Sequence, residues 1–137
     1  MSGWQAYIQS LLDSAKCITK AAIVGSPDGG LWARSEAPVG ETFNLEAAEC
    51  TRFGTMFDNV NEVPGTGLHA EGLKYIVPQV DETFVIGKRS TQPDIGIMAV
   101  KTNKAVIIAQ FKGDRTEGVV CRKALEHIAD HLRSSGY

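Results

Sequence analysis

Long apolar runs are missing from this chain: no window approaches the ~18 consecutive apolar residues of a membrane-spanning helix. An excess of one charge is missing too. Fourteen Lys and Arg stand against 16 Asp and Glu, a net charge of −2, which excludes bulk attraction for nucleic acid or an anionic bilayer. Any acidic partner must be read by a local patch. Cysteine is scarce: Cys17, Cys50 and Cys121 form neither a C-x-x-C pair nor a zinc-finger spacing. An odd number of thiols, with no secretory leader in Met-Ser-Gly-Trp-Gln and no Asn-x-Ser/Thr acceptor, is expected to stay reduced in the cytoplasm. What is present is ordinary for a packed domain: 137 residues, 43% hydrophobic and 22% charged. Such a chain can bury roughly two-thirds of its unfolded surface as one domain, residues 1–137, without staples.

The pattern begins with a helix. Trp4, Tyr7, Ile8, Leu11 and Leu12 fall at i, i+3, i+4, i+7 and i+8, with Ser2 as N-cap. Lys20 to Val24 is an apolar run, Ser26-Pro27-Asp28-Gly29-Gly30 is turn chemistry, and Leu31-Trp32-Ala33 resumes the run, so a hairpin is expected. A second helix is predicted over Leu45–Phe57 with Asn44 as N-cap and no capping box. From Pro64 the period changes to two. Strands are predicted at 68–70, 73–77, 83–87, 95–101 and 105–111, joined by loops too short for helical crossovers. A last helix runs from about Glu117 to Ser134 on a stripe of Cys121, Leu125, Ile128 and Leu132. The order predicts an α+β fold around a central antiparallel sheet.

The motifs for catalysis fail on context. Gly65-Thr66-Gly67-Leu68-His69-Ala70 matches G-x-G-x-x-A, but it follows no parallel strand and leads into a strand rather than a helix. His127-Ile128-Ala129-Asp130-His131 resembles an inverted zinc motif, yet Leu132 to Tyr137 supplies no third ligand. No G-x-S-x-G occurs, and no Cys has a motif-placed His and Asn. No catalytic residue, metal or cofactor is expected.

Aromatics make up 7% of the chain, so their placement is informative. Trp4 and Tyr7 lie one turn apart, Trp32 opens a strand, and Tyr137 is the last residue. On the last helix Ala124 and His131 sit about 60–80° to one side of the core stripe. If the first and last helices lie side by side, these rings can line one shallow groove. Such a groove suits a polyproline II peptide, whose rings stack on aromatic faces and whose carbonyls accept from indole and phenol donors.

Trp4-Gln5-Ala6-Tyr7-Ile8, Trp32-Ala33 after Pro-Asp-Gly-Gly, Gly72-Leu73-Lys74-Tyr75, Gly87-Lys88 and His131-Leu132-Arg133-Ser134-Ser135-Gly136-Tyr137 together resemble the profilin family nearly end to end, in its invertebrate-like form. The resemblance implies terminal helices packed together on one face of the sheet and a further helix on the other. It implies polyproline binding by Trp4, Tyr7, Trp32, His131 and Tyr137. It implies a separate actin face comprising Lys74, Val77, Lys88, Arg89, Gly118, Val119, Arg122 and Lys123, and weak phosphoinositide binding by Lys88, Arg89 and Arg133. Glu117 and His127 stand roughly where vertebrate members carry His and Glu. The expected function is regulation of actin polymerisation and nucleotide exchange by a cytoplasmic, cytoskeletal monomer. Its partners would be monomeric actin and proline-rich proteins such as formin-type elongation factors, with no nucleic acid. The rival readings are a polyproline adaptor without actin activity and a small α+β scaffold.

Overall fold

The turn chemistry after the first apolar run folds it back on itself. In the computed structural model, which describes residues 4–26, 28–37 and 40–137, β1 (Ile18–Gly25) pairs antiparallel with β2 (Leu31–Arg34). Gly29 takes φ +76 in this turn, and a Cβ there would come within 2.4 Å of the Thr51 backbone. Only glycine meets both demands. The strands that follow are β3 (Leu68–Ala70), β4 (Leu73–Val80), β5 (Phe84–Arg89), β6 (Ile95–Lys101) and β7 (Ala105–Lys112). They complete an antiparallel seven-stranded sheet in the order β2-β1-β7-β6-β5-β4-β3. The last strand returns to pair with the first, so chain ends meet beside the middle of the sheet.

Strand alternation feeds two cores. Ile23, Phe84, Met98, Val100, Ile107 and Phe111 point to one face, where α1 (Trp4–Ser14) and α4 (Arg115–Ser134) cover them with Ile8, Leu11, Cys121, Leu125 and Leu132. Val24, Tyr75, Val77, Val85, Ile97, Ile108 and their neighbours point to the other, under Phe43, Phe53 and Met56. Each fully buried aliphatic or aromatic side chain stabilises the fold by roughly 1.5–3 kcal/mol. The expected arrangement of two helices on one face and a further helix on the other is the one observed.

The middle of the chain departs from expectation. The predicted helix 45–57 is shorter, α2 (Ala47–Thr55), and its N-cap is Glu46 rather than Asn44. A capping box is present after all: the Glu46 N–H donates to Glu49 Oε1 at 2.9 Å. Asn44 was misleading because its main-chain N–H serves the sheet edge, donating to Glu71 Oε2 at 3.0 Å. A 3₁₀ segment (Met56–Glu62) and a single turn, α3 (Val63–Thr66), occupy the connector, so Pro64 sits in a helical turn and not in a strand. Gly67 (φ +72) ends that turn and leads into β3, the context on which the dinucleotide motif was rejected. Predicted N-cap Ser2 lies outside the described residues.

Buried Glu49 explains the β3–β4 hairpin. Its carboxylate accepts from the N–H groups of Glu71 and Gly72, each at 2.8 Å. Glu71 (φ 55) and Gly72 (φ 78) are both left-handed, the conformation a two-residue hairpin favours. The Glu71 side chain is held in turn by Lys20 Nζ at 2.7 Å.

Candidate functional site

Amphipathic spacing puts Ile8 and Leu11 of α1 in the core and leaves Trp4 and Tyr7 half-buried at its margin. The α4 stripe of Cys121, Leu125, Ile128 and Leu132 is buried as predicted, which leaves His131 on the exposed shoulder facing α1. The Tyr7 and His131 rings are 5.6 Å apart. Trp32 comes from β2, and the glycine at position 25 makes room for it: a Cβ there would lie 2.9 Å from the indole nitrogen. Trp4 is the hub, with ring centroids 5.7 Å from Tyr7, 4.7 Å from Trp32 and 4.9 Å from Tyr137.

Tyr137 reaches this cluster because α4 ends in a Schellman motif. The Gly136 N–H donates to Arg133 O at 3.2 Å, the Tyr137 N–H donates to Leu132 O at 2.8 Å, and Gly136 takes φ +93. The chain doubles back, and the ring stands edge-on to Trp4 with 40% of Tyr137 exposed. All five predicted aromatic positions therefore share one open patch. Half-buried, rigid rings offer flat apolar faces with polar tips, a surface suited to an extended proline-rich chain.

A second concavity lies on the same side of the sheet. Over the sheet, helix α4 packs chiefly on β6 and β7, so much of the inner surface of β4 and β5 remains open beside its first turns. The resulting groove holds about 760 Å³, with a floor of Phe84, Ile86, Met98 and Phe111 and a rim of Lys88, Arg115, Val119 and Arg122. Phe111 can lie across β6 because residue 96 is glycine; a Cβ there would come within 2.4 Å of its ring. The Arg122 guanidinium sits 3.9 Å above the Phe84 ring, so its charge is fixed in place over an apolar wall. Gly118 brings the helix backbone close to the floor, with a notional Cβ 3.6 Å from both Met98 and Phe111. At one end Asp114 caps α4, and its carboxyl titrates below the usual range, chiefly because the Thr116 N–H donates to it at 2.8 Å. Glu117 completes that cap by accepting from the Asp114 N–H at 3.1 Å.

Of the eight expected actin-face residues, Lys88, Gly118, Val119 and Arg122 line this groove. Lys123 is exposed on α4, and alternation from Tyr75 places exposed Lys74 on the groove side of β4. Val77 and Arg89 do not join them. Val77 is sealed in the second core. Arg89 lies on the opposite face from Lys88, with its guanidinium 5.5 Å from the Tyr75 ring centroid and Nη2 donating to the Tyr75 hydroxyl at 3.1 Å. Adjacent residues on a strand must point opposite ways, so Lys88-Arg89 is not one patch. The phosphoinositide trio is dispersed further. Arg133 donates to Lys101 O at 2.6 Å and pairs with Asp130 at 3.1 Å. Lys88 is opposite Gly96, and Gly96 and Lys101 are about 17 Å apart along β6.

Residues missed in the sequence are Phe84, Ile86, Met98 and Phe111 of the groove. Alternate positions on β5 and β6 signalled a buried face, but not that α4 would leave part of it open. Cys50 and Cys121 are buried and Cys17 half-buried, all as thiols. Burial pushes each thiol above its usual range, most strongly at Cys121. Among the described residues, no helix is long and apolar enough to cross a membrane.

The family model described as Profilin matches residues 2–137. Profilin-2 of Caenorhabditis elegans is 42% identical over 137 residues, covering 100% of both chains. The Schizosaccharomyces pombe profilin structure superposes with TM-score 0.82 at 29% identity, covering 98% of this chain and 99% of that one. Two more distant structures share the fold. Mouse profilin IIa in complex with a double repeat from the FH1 domain of mDia1 has TM-score 0.74 at 23% identity, over 99% of this chain and 100% of that one. The LokiProfilin2–rabbit actin complex has TM-score 0.65 at 18% identity, over 95% and 98%.

Proposed function

Because the chain belongs to the profilin family, we propose that it acts as a single-domain, non-catalytic adaptor, holding monomeric actin at the α4–sheet groove and proline-rich peptides at the aromatic patch. The observation that carries the reading is the meeting of Trp4, Tyr7, Trp32, His131 and Tyr137, five rings from three separate parts of the chain, on one open surface. The fold's occurrence in a profilin solved with an FH1 repeat and in another solved with actin supports both halves. Lys88, Arg122, Lys123 and Lys74 orient acidic actin, while Val119, Gly118 and the apolar floor exclude water. A stable interface needs at least ~1,000 Å², so contacts extend beyond the groove itself.

The adaptor regulates polymerisation in the cytoplasm, delivering actin monomers to proline-rich elongation factors of the formin type and working as a monomer. Faster nucleotide exchange follows only if the groove favours one actin state over another, since equal affinity for two states shifts neither. Phosphoinositide head groups are weak ligands. Lys88 on the groove rim is their contact, with Arg89 and Arg133 acting separately.

Two titrations test the reading. Poly-L-proline should change the emission of Trp4 and Trp32, and the protein should slow spontaneous assembly of pyrene-labelled actin. A silent tryptophan signal would remove the peptide site. Unaltered actin kinetics with an intact proline response would leave an adaptor without actin activity.

A further inference from the structure

We infer that Thr102, at the tip of the β6–β7 hairpin, is a positioning residue for the aromatic patch and acts on peptide affinity through Tyr137. The inference rests on the reading of that patch as a proline-peptide site. Thr102 stands in a short turn, where side chains are usually exposed, yet it is only 3% exposed. Its hydroxyl lies 2.7 Å from the main-chain oxygen of Tyr137 and 3.3 Å from Ala105 O, and it accepts from the Ala105 N–H at 3.1 Å. A hydroxyl has one proton to donate. Ala105 O already receives the Thr102 N–H at 2.8 Å, so the shorter contact to Tyr137 takes that proton.

The same Tyr137 oxygen accepts the Lys104 N–H at 2.6 Å, and the Tyr137 N–H is held on Leu132. The main chain of Tyr137 is therefore pinned on both sides, once by α4 and twice by the hairpin. Arg133, one turn earlier, is tied to the same hairpin through Lys101 O. The Lys104 ammonium adds a contact 5.8 Å from the Tyr137 ring centroid. Only the ring's side-chain torsions are left to be set, and the contacts with Lys104, Trp4 and Trp32 set them. The ring is thus set as a wall beside Trp4 and Trp32, at 4.9 and 6.3 Å, before any peptide arrives. A preset wall spares the peptide the ordering of a terminal aromatic.

A double-mutant cycle with poly-L-proline tests this. Thr102→Val, nearly isosteric, should weaken binding by about three- to ten-fold, and Thr102→Ser should restore it. In a Tyr137→Ala background Thr102→Val should have no further effect, because its route to the peptide is gone. A purely structural role for the hydroxyl, through Ala105, would give the same loss in both backgrounds; that result, or an unchanged affinity of Thr102→Val, overturns the inference. Ring proton shifts of Tyr137 in the peptide-free protein provide an independent reading. Thr102→Val should move them toward their unstructured values, and unmoved shifts count against the anchor. If wild-type protein ignores poly-L-proline while those shifts respond, the anchor is real and the peptide reading is what fails.

Discussion

The two proposed recognition surfaces are built by different means. The aromatic patch is assembled from three parts of the chain: Trp4 and Tyr7 from α1, Trp32 from β2, and His131 and Tyr137 from the end of α4 and the turn after it. Its identity resides in a few rare residues, and tertiary structure only has to bring them together. The α4–sheet groove is the reverse. Its floor residues Phe84, Met98 and Phe111 are common core types, and the site exists because one helix stops short of covering β4 and β5. One surface is specified by residue chemistry, the other by incomplete coverage. A mutation should therefore damage the first through side-chain identity and the second through shape and rim charge.

The sharpest way to break this contrast is Trp4→Ala. Removing the hub of the ring cluster should lower poly-L-proline affinity by about 100-fold and destabilise the fold by roughly 2 kcal/mol, read by fluorescence titration and urea unfolding. Retained proline binding would show that the rings do not act as one surface. Next in size is Arg122→Glu, which reverses the charge stacked on Phe84. Actin affinity should fall about ten-fold with proline affinity unchanged, measured on the same preparation. Equal losses would deny that the surfaces are separate.

A smaller effect sharpens the shape argument. A Cβ at Gly118 would meet Met98 and Phe111 at ordinary contact distance, 3.6 Å, so Gly118→Ala should raise stability by about 0.5–1 kcal/mol through helix propensity. It should also make the groove shallower and weaken actin by about two-fold. A gain in both stability and actin affinity would contradict the close approach. Smallest is the pH response of the α4 cap. The carboxyl of Asp114 is held below its ordinary range in the folded state, so its stabilisation is present above the unfolded value of about 3.9 and disappears as pH falls through the lower folded value. The midpoint of thermal unfolding for wild type and Asp114→Ala should differ slightly at pH 6 and converge at the acid end; a difference independent of pH would place the cap's effect elsewhere.

Much of this was legible in one dimension. Alternation located β3 and β4, and continuous apolar runs between turn residues located β6 and β7, because two cores demand apolar side chains on both faces of the middle strands. The ring cluster was legible because aromatics are scarce and the helical spacing sets Trp4 and Tyr7 on one side of α1 and His131 on a shoulder of α4. The α2 start was not, since a Glu46–Glu49 box looks like surface charge until Glu71 and Gly72 are seen to bond the same carboxylate. That Lys88 and Arg89 take opposite faces has a simpler reason: adjacency in sequence on a strand is opposition in space.

Composition and periodicity alone settle the α+β arrangement and the rarity of the rings, because each follows from local spacing or from what is scarce. Which basic side chains share a surface, where α4 leaves the sheet bare and how Tyr137 is gripped by Thr102 and Lys104 belong to the folded molecule. These depend on strand parity, helix placement and hydrogen bonds between residues remote in the chain, and no local pattern encodes such distances.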